Sequence, residues 1–267
     1  MDSTNAAEEA SSDILLQVLS EHRFADLVTV VSVPPGSDVA VGTKLLTEHG
    51  GSVWGSLGTQ DLDRAALADA KRVMVERKSK VIAYPVAGGE IEAFHELLEP
   101  QPQLLILGAG HIAVPLAKFG REVGFEVVVL DDRDKFANEE RFPGADEVIA
   151  GDFGETLANF RISPFTYVVI ITRAHTYDEE SLRVLLGHDA AYIGMIGSRR
   201  RVETVLKTLA AEGFDRDRLS KIYSPIGLDI GAETPEEIAL AIMAEVVAAR
   251  RGGTGQPMSR MLRPMAF

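Results

Sequence analysis

Gly108, Gly110 and His111 stand where a short apolar run, Leu104–Leu107, passes straight into a turn. Small residues at such a place let the backbone approach a phosphate, and a helix that starts inside the turn aims its free N–H groups at it. An acidic pair, Asp131 and Asp132, ends the next apolar run, Val127–Leu130. That pair lies about 20 residues downstream, where a dinucleotide fold holds ribose hydroxyls. Ala113 takes the third small position of the motif, an accepted variant. The residues therefore point to a nucleotide or a similar phosphate-bearing cofactor. Asp131 suits a ribose diol and hence NAD, while Arg133 beside it weakens the distinction from NADP. A glycine turn also closes ordinary strand–helix junctions, and an acidic pair also serves as solvated loop charge.

Three further segments carry polar chemistry at the ends of apolar runs, beside the acidic pair: Thr172 to His175, Gly197 to Arg201, and Asp229 after Pro225-Ile226-Gly227-Leu228. Ser198 reads as an N-cap, which puts Arg199, Arg200 and Arg201 in a first helical turn. Positive charge there opposes the helix dipole by roughly 0.3–1 kcal/mol per exposed residue. A bound anion would reverse that sign, and so would pairing with carboxylates of the chain. His111 and His175, each near a helix start, can donate or accept a hydrogen bond beside a ligand or serve the loop backbone. Thr176 and Glu179 have the spacing of a capping box. The other histidines show no metal-ligand spacing, no metal site is expected, and no HExxH, Walker A or GxSxG pattern occurs.

These segments need a scaffold. From 104 onward, apolar strands alternate with helices: strands at 104–107, 126–130, 147–150, 167–171 and 190–194, helices at 111–123, 177–186 and 199–211. That alternation predicts a Rossmann-like, doubly wound parallel sheet, with the polar segments gathered at its carboxyl edge. Lys221–Ser224 is a candidate sixth strand. Thr234-Pro235-Glu236-Glu237 is a strong helix start, with N-cap, proline at N1 and glutamate at N3, and the helix should stop at Gly252-Gly253. Upstream, strands at Val28–Val33, Val39–Leu46, Val53-Trp54, Lys80–Val86 and Ile91–Leu98, with a helix at Leu62–Glu76 and a short one from Ile14, predict a small α+β domain. The division is thus 1–98, a proline-bearing linker at 99–103, the sheet domain at 104–252 and a tail at 253–267. The first dozen residues read as disordered. The whole is of α/β class.

Composition narrows the partners. The 267 residues carry a formal net charge of −13, which argues against nucleic acid and against anionic membrane surfaces. No cysteine is present, so the chain offers no disulfide, thiolate ligand, cysteine nucleophile or persulfide. The start shows no apolar signal region, and no run approaches the about 18 apolar residues of a membrane span. A soluble, cytoplasmic protein is expected.

Three stretches resemble the xanthine dehydrogenase accessory factor (XdhC/CoxI) family: Leu105–Ala113, Tyr192–Val202 and Ser224–Glu245. The latter two are specific to it. The resemblance implies a maturation factor for a molybdenum hydroxylase, which binds the molybdenum cofactor, favours its sulfurated form and delivers it to the apo-enzyme. It places His111, Ser198, Arg199 and Asp229 in the family's crevice, and the first domain, with Gly42-Thr43-Lys44 and Gly55-Ser56-Leu57-Gly58, in its N-terminal module. Asp61 stands where family members commonly carry a cysteine, so a cysteine desulfurase would have to bring the sulfur. A homodimer is the assembly expected. Two other readings stay open: an NAD(P)-dependent oxidoreductase and a nucleotide-sensing module without chemistry.

Overall fold

The structure is a computed structural model and describes residues 14–18 and 23–261. The chain divides into two compact units, parted between Pro100 and Gln101.

The first unit is an antiparallel sheet of five strands, β1 (Ala25–Ser32), β2 (Lys44–Glu48), β3 (Val53–Gly55), β4 (Lys80–Val86) and β5 (Gly89–Leu98), in the order β3-β2-β1-β5-β4. Strand residues alternate between faces. Val28, Val30, Leu45, Ile91 and Ala93 therefore turn to one side and pack on Leu62 and Ala66 of helix α2 (Gln60–Glu76). Ala25, Leu27 and Leu46 turn to the other and meet Val18 of the helical residues 14–18, α1. The strand expected over Val39–Leu46 begins only at Lys44. Upstream of it the chain is still turning, with Gly42 at φ +93° and its N–H on Val30 O at 2.8 Å. The disorder expected of the first dozen residues falls outside the described residues.

The second unit is a parallel sheet of β6 (Gln103–Leu107), β7 (Glu126–Asp131), β8 (Glu147–Ala150), β9 (Thr166–Ile170) and β10 (Tyr192–Met195), in the order β10-β9-β6-β7-β8. In chain order within the unit this is 5-4-1-2-3, the doubly wound arrangement. Leu104 and Ile106, with Val127 and Val129, face helices α3 (Ala113–Glu122) and α8 (Pro235–Arg251). Leu105 and Leu107, with Val128 and Leu130, face α4 (Phe153–Asn159), α5 (His175–Leu185) and α6 (Arg199–Ala211). Cover on both faces is why these strands read as unbroken apolar runs. The predicted sixth strand is one parallel bridge, Gly194 to Tyr223.

Helix α8 starts as the motif requires: Thr234 Oγ1 accepts from Glu237 N at 3.2 Å, Thr234 N donates to Glu237 Oε2 at 3.0 Å, and Gly252 ends the helix at φ +69°. The capping box expected at Thr176 is absent. Helix α5 begins at His175 without a side-chain cap, and Glu179 pairs with Arg183 at 3.2 Å. Two short helices were not legible, α4 and α7 (Arg216–Ser220), and the tail contains one helical turn, α9 (Met258–Met261).

Candidate functional site

The carboxyl edge of the parallel sheet is organised around Gly108. Its φ of +109° is open to glycine, and a Cβ there would lie 2.7 Å from Ile171 O. That close approach locks the turn after β6 against the end of β9. Gly110 is different: a Cβ added to it would meet nothing within 4 Å. It faces open space. Helix α3 follows with Ile112 as a cap that supplies no side-chain bond. Among the described residues no hydrogen bond is found for the N–H groups of Gly110, His111 and Ile112. These are orphan donors of a helix start, the kind of group that water, a side chain or an anion can satisfy. His111 is exposed beside them.

Asp131 and Asp132 are both occupied. Asp131 is 1% exposed. Its Oδ2 accepts from Ala109 N at 2.8 Å and Arg133 Nη2 at 2.9 Å, and its Oδ1 accepts from Arg133 Nε at 2.7 Å. Asp131 thus fastens the glycine turn to the end of β7 rather than standing open to a diol. Asp132 takes both branches of Arg173, at 2.5 and 2.7 Å, and that guanidinium holds its carboxyl well below the usual range. Arg141, from the loop between β7 and β8, donates to Ala109 O at 2.7 Å and supports the turn from the other side. No local pattern marks Arg141 in the sequence, because only the folded loop brings residue 141 to residue 109.

Behind the edge lies a buried knot. Thr172 Oγ1 donates to Asp178 Oδ1 at 2.6 Å, and Arg201 Nε donates to Asp178 Oδ2 at 2.8 Å. Burial pushes the Asp178 carboxyl up, while Thr172 and Arg201 pull it back. One arginine of the triplet is therefore paired with a carboxylate of the chain. Ser198 is the N-cap of α6 as expected, accepting from Arg201 N at 3.3 Å. Arg199 and Arg200 are exposed, and no carboxylate pairs with them among the described residues.

The candidate residues thus occupy the ends of adjacent strands: Gly108, Gly110 and His111 after β6, Asp131 and Asp132 after β7, Thr172 and His175 after β9, and Gly197, Ser198 and Arg199 after β10. Asp229 is exposed beyond the Tyr223 bridge. The described residues hold no group of three or more His, Asp or Glu arranged to bind a metal, and no helix among them is long and apolar enough to cross a membrane. A separate hollow of about 530 Å³ lies by the amino end of β10, lined by Leu185, Asp189, Ala191, Arg218 and Tyr223, and contains none of the candidate residues.

A Rossmann-type sheet whose carboxyl edge carries free N–H donors and exposed arginines is the class that fold and site define. A family model for the XdhC Rossmann domain matches residues 104–246, and one for the XdhC and CoxI family matches residues 18–85. The chain belongs to the XdhC and CoxI family. A probable xanthine dehydrogenase subunit from Bacillus subtilis (strain 168) is 32% identical over 183 residues, 68% of this chain and 53% of that protein. The chain spans about half the length of curated relatives of this kind. The molybdenum cofactor insertion chaperone PaoD of Escherichia coli (strain K12) is 23% identical over 275 residues, 88% of this chain and 86% of that protein. A crystal structure described as a xanthine dehydrogenase from Bacillus halodurans shares the fold, with a TM-score of 0.54 and 23% identity across 93% of this chain and 99% of that one.

Proposed function

We propose that this chain is a maturation factor for a molybdenum hydroxylase: it takes the molybdenum cofactor as cargo, holds it by its phosphate at the carboxyl edge of the second sheet, and presents it to the apo-enzyme. The observation that carries the reading is that Arg199 and Arg200 at the start of α6 have no carboxylate partner among the described residues, in an acidic chain where the neighbouring Arg133, Arg173 and Arg201 are each matched by an aspartate and Arg141 is taken up by backbone carbonyls. Family membership and the resemblance to PaoD support it. The residues fit the anionic end of such a cargo. Free N–H donors and two guanidiniums suit phosphate. The chain has no cysteine thiolate to offer the metal, and the described residues hold no cluster of three or more His, Asp or Glu that could bind it. In this reading the sulfur of a sulfurated cofactor comes from a partner, a cysteine desulfurase, and Asp61 plays no part in carrying it. Asp61 is solvent-exposed and pairs with Arg64 at 3.2 Å within α2.

The strand order and the glycine turn also suit an NAD(P)-dependent oxidoreductase, but the diol-binding carboxylates that it needs are engaged by arginine. Native mass spectrometry of the purified chain, offered NAD, NADP and molybdopterin in competition, tests the choice. Retention of the pterin, weakened by Arg199→Ala and by salt, is expected. Steady hydride turnover with NAD or NADP, or failure to retain any pterin, overturns the proposal.

A further inference from the structure

Strand order sets β6 between β7 and β9. Asp132 leaves the carboxyl end of β7 and Arg173 leaves that of β9. The ion pair between them must therefore cross the carboxyl end of β6, a reach of two inter-strand spacings or about 10 Å. It crosses where the chain enters the glycine turn at Gly108. The pair is fastened at three points. The two guanidinium branches meet the two carboxylate oxygens. Tyr177 OH accepts from Arg173 Nη2 at 2.8 Å and donates to Asp132 Oδ2 at 3.2 Å. The guanidinium also lies 4.6 Å from the centre of the Tyr177 ring. With side chains 41% and 23% exposed, the pair sits on the solvent side of the edge, where a ligand enters, and not under it.

A dinucleotide in a doubly wound fold lies across the switch point, with one half over the strands on each side, and its adenosine ribose is held by a carboxylate at the end of the second strand. Here both requirements fail at once. The crossing is spanned by side chains, and the carboxylates at the end of β7 already have arginine partners. On the other side, Arg199 and Arg200 after β10 have no carboxylate partner among the described residues.

We infer that the Arg173–Asp132 pair, braced by Tyr177, bars the crevice to dinucleotides and confines it to an anion of single-nucleotide size ending in one phosphate, seated between the glycine turn and Ser198–Arg200. The inference rests on the proposed phosphate crevice and specifies its ligand class. A phosphorylated pterin is one such molecule, and AMP is a convenient probe of the same size.

Isothermal titration of the full chain with AMP and with NAD tests it. The native protein is expected to bind NAD no more tightly than AMP. In Arg173→Ala the bar is gone and Asp132 is open to a diol, so NAD affinity rises at least about tenfold while AMP affinity stays within about threefold. Tyr177→Phe, which removes one fastening and keeps the ring, gives a smaller rise in the same direction. A tenfold preference for NAD in the native protein, or an unchanged NAD-to-AMP ratio in both variants, overturns the inference and leaves the phosphate crevice standing. Failure of all three proteins to bind either probe overturns both.

Discussion

Arg201 donates to the carboxylate of Asp178 at 2.8 Å, and Asp178 is wholly buried. The pair joins the first turn of α6 to the first turn of α5, and Thr172 completes it from the end of β9. Burying a carboxylate costs least where donors meet both of its oxygens. Both are met here, so the knot can hold the two helix starts in one arrangement while Arg199 and Arg200 stay free.

Removing the carboxylate exposes that dependence. Asp178→Ala leaves a guanidinium three-quarters buried without its carboxylate and leaves the Thr172 hydroxyl with Ala174 O as its remaining acceptor. A loss of about 2–4 kcal/mol of stability is expected, towards the lower end because Arg201 retains some water contact. Urea denaturation reads it, and a loss below about 1 kcal/mol would show that the knot is incidental.

The two glycines of the turn should behave oppositely. Gly108→Ala forces a Cβ onto the Ile171 carbonyl at a positive φ and is expected to cost about 3 kcal/mol or more. Gly110→Val meets open space, so the melting temperature should hold within a few degrees. Its side chain would fill the place where the anion sits, so phosphate-ligand binding should be lost. Scanning fluorimetry and titration separate the two. Retained binding in Gly110→Val would move the ligand elsewhere.

Acid should loosen the edge before it unfolds the sheet. The Arg173 guanidinium depresses the Asp132 carboxyl below its unfolded value of about 4. A depressed folded pKa contributes stability that is present above the unfolded pKa and is lost as pH falls towards the folded one. The native protein is therefore expected to lose stability steadily below about pH 4, and Arg173→Ala should show a shallower slope over the same range. Parallel acid titrations at fixed urea measure the difference, and equal slopes would remove Arg173 as the cause.

In the first unit His95 bridges Tyr84 at 2.7 Å and Asp26 at 2.6 Å, all beneath α2. Asp26 Oδ1 has no partner of its own. His95→Phe fills the same volume but strips Asp26 of its ring nitrogen, and about 3 kcal/mol should be lost. Asp26→Asn in the same background should recover part of it, since an amide is less costly to bury than an unpaired carboxylate. Urea midpoints of the two variants decide the matter. No recovery would mean that the loss does not come from the stranded Asp26 side chain.

Much of the scaffold was legible because local patterns encode it. Leu104–Leu107 and Val127–Leu130 read as apolar strands of a parallel sheet, and they are. Thr234 to Glu237 read as a capping box, and both bonds form. Gly154 hid α4, since a glycine inside a short helix weakens its periodicity. Ser198 was legible as a cap, but the fate of the three arginines behind it was not.

Length, charge, the missing cysteines, the alternation of strand and helix and the glycine turn were all settled by the residue order, since each depends on neighbours along the chain. Which acids face solvent and which are claimed by arginine was decided only on folding. Strand order brings Arg173 to Asp132 and Arg201 to Asp178 across 41 and 23 residues, and Coulomb attraction at hydrogen-bond range responds to separation in space, not to separation in sequence.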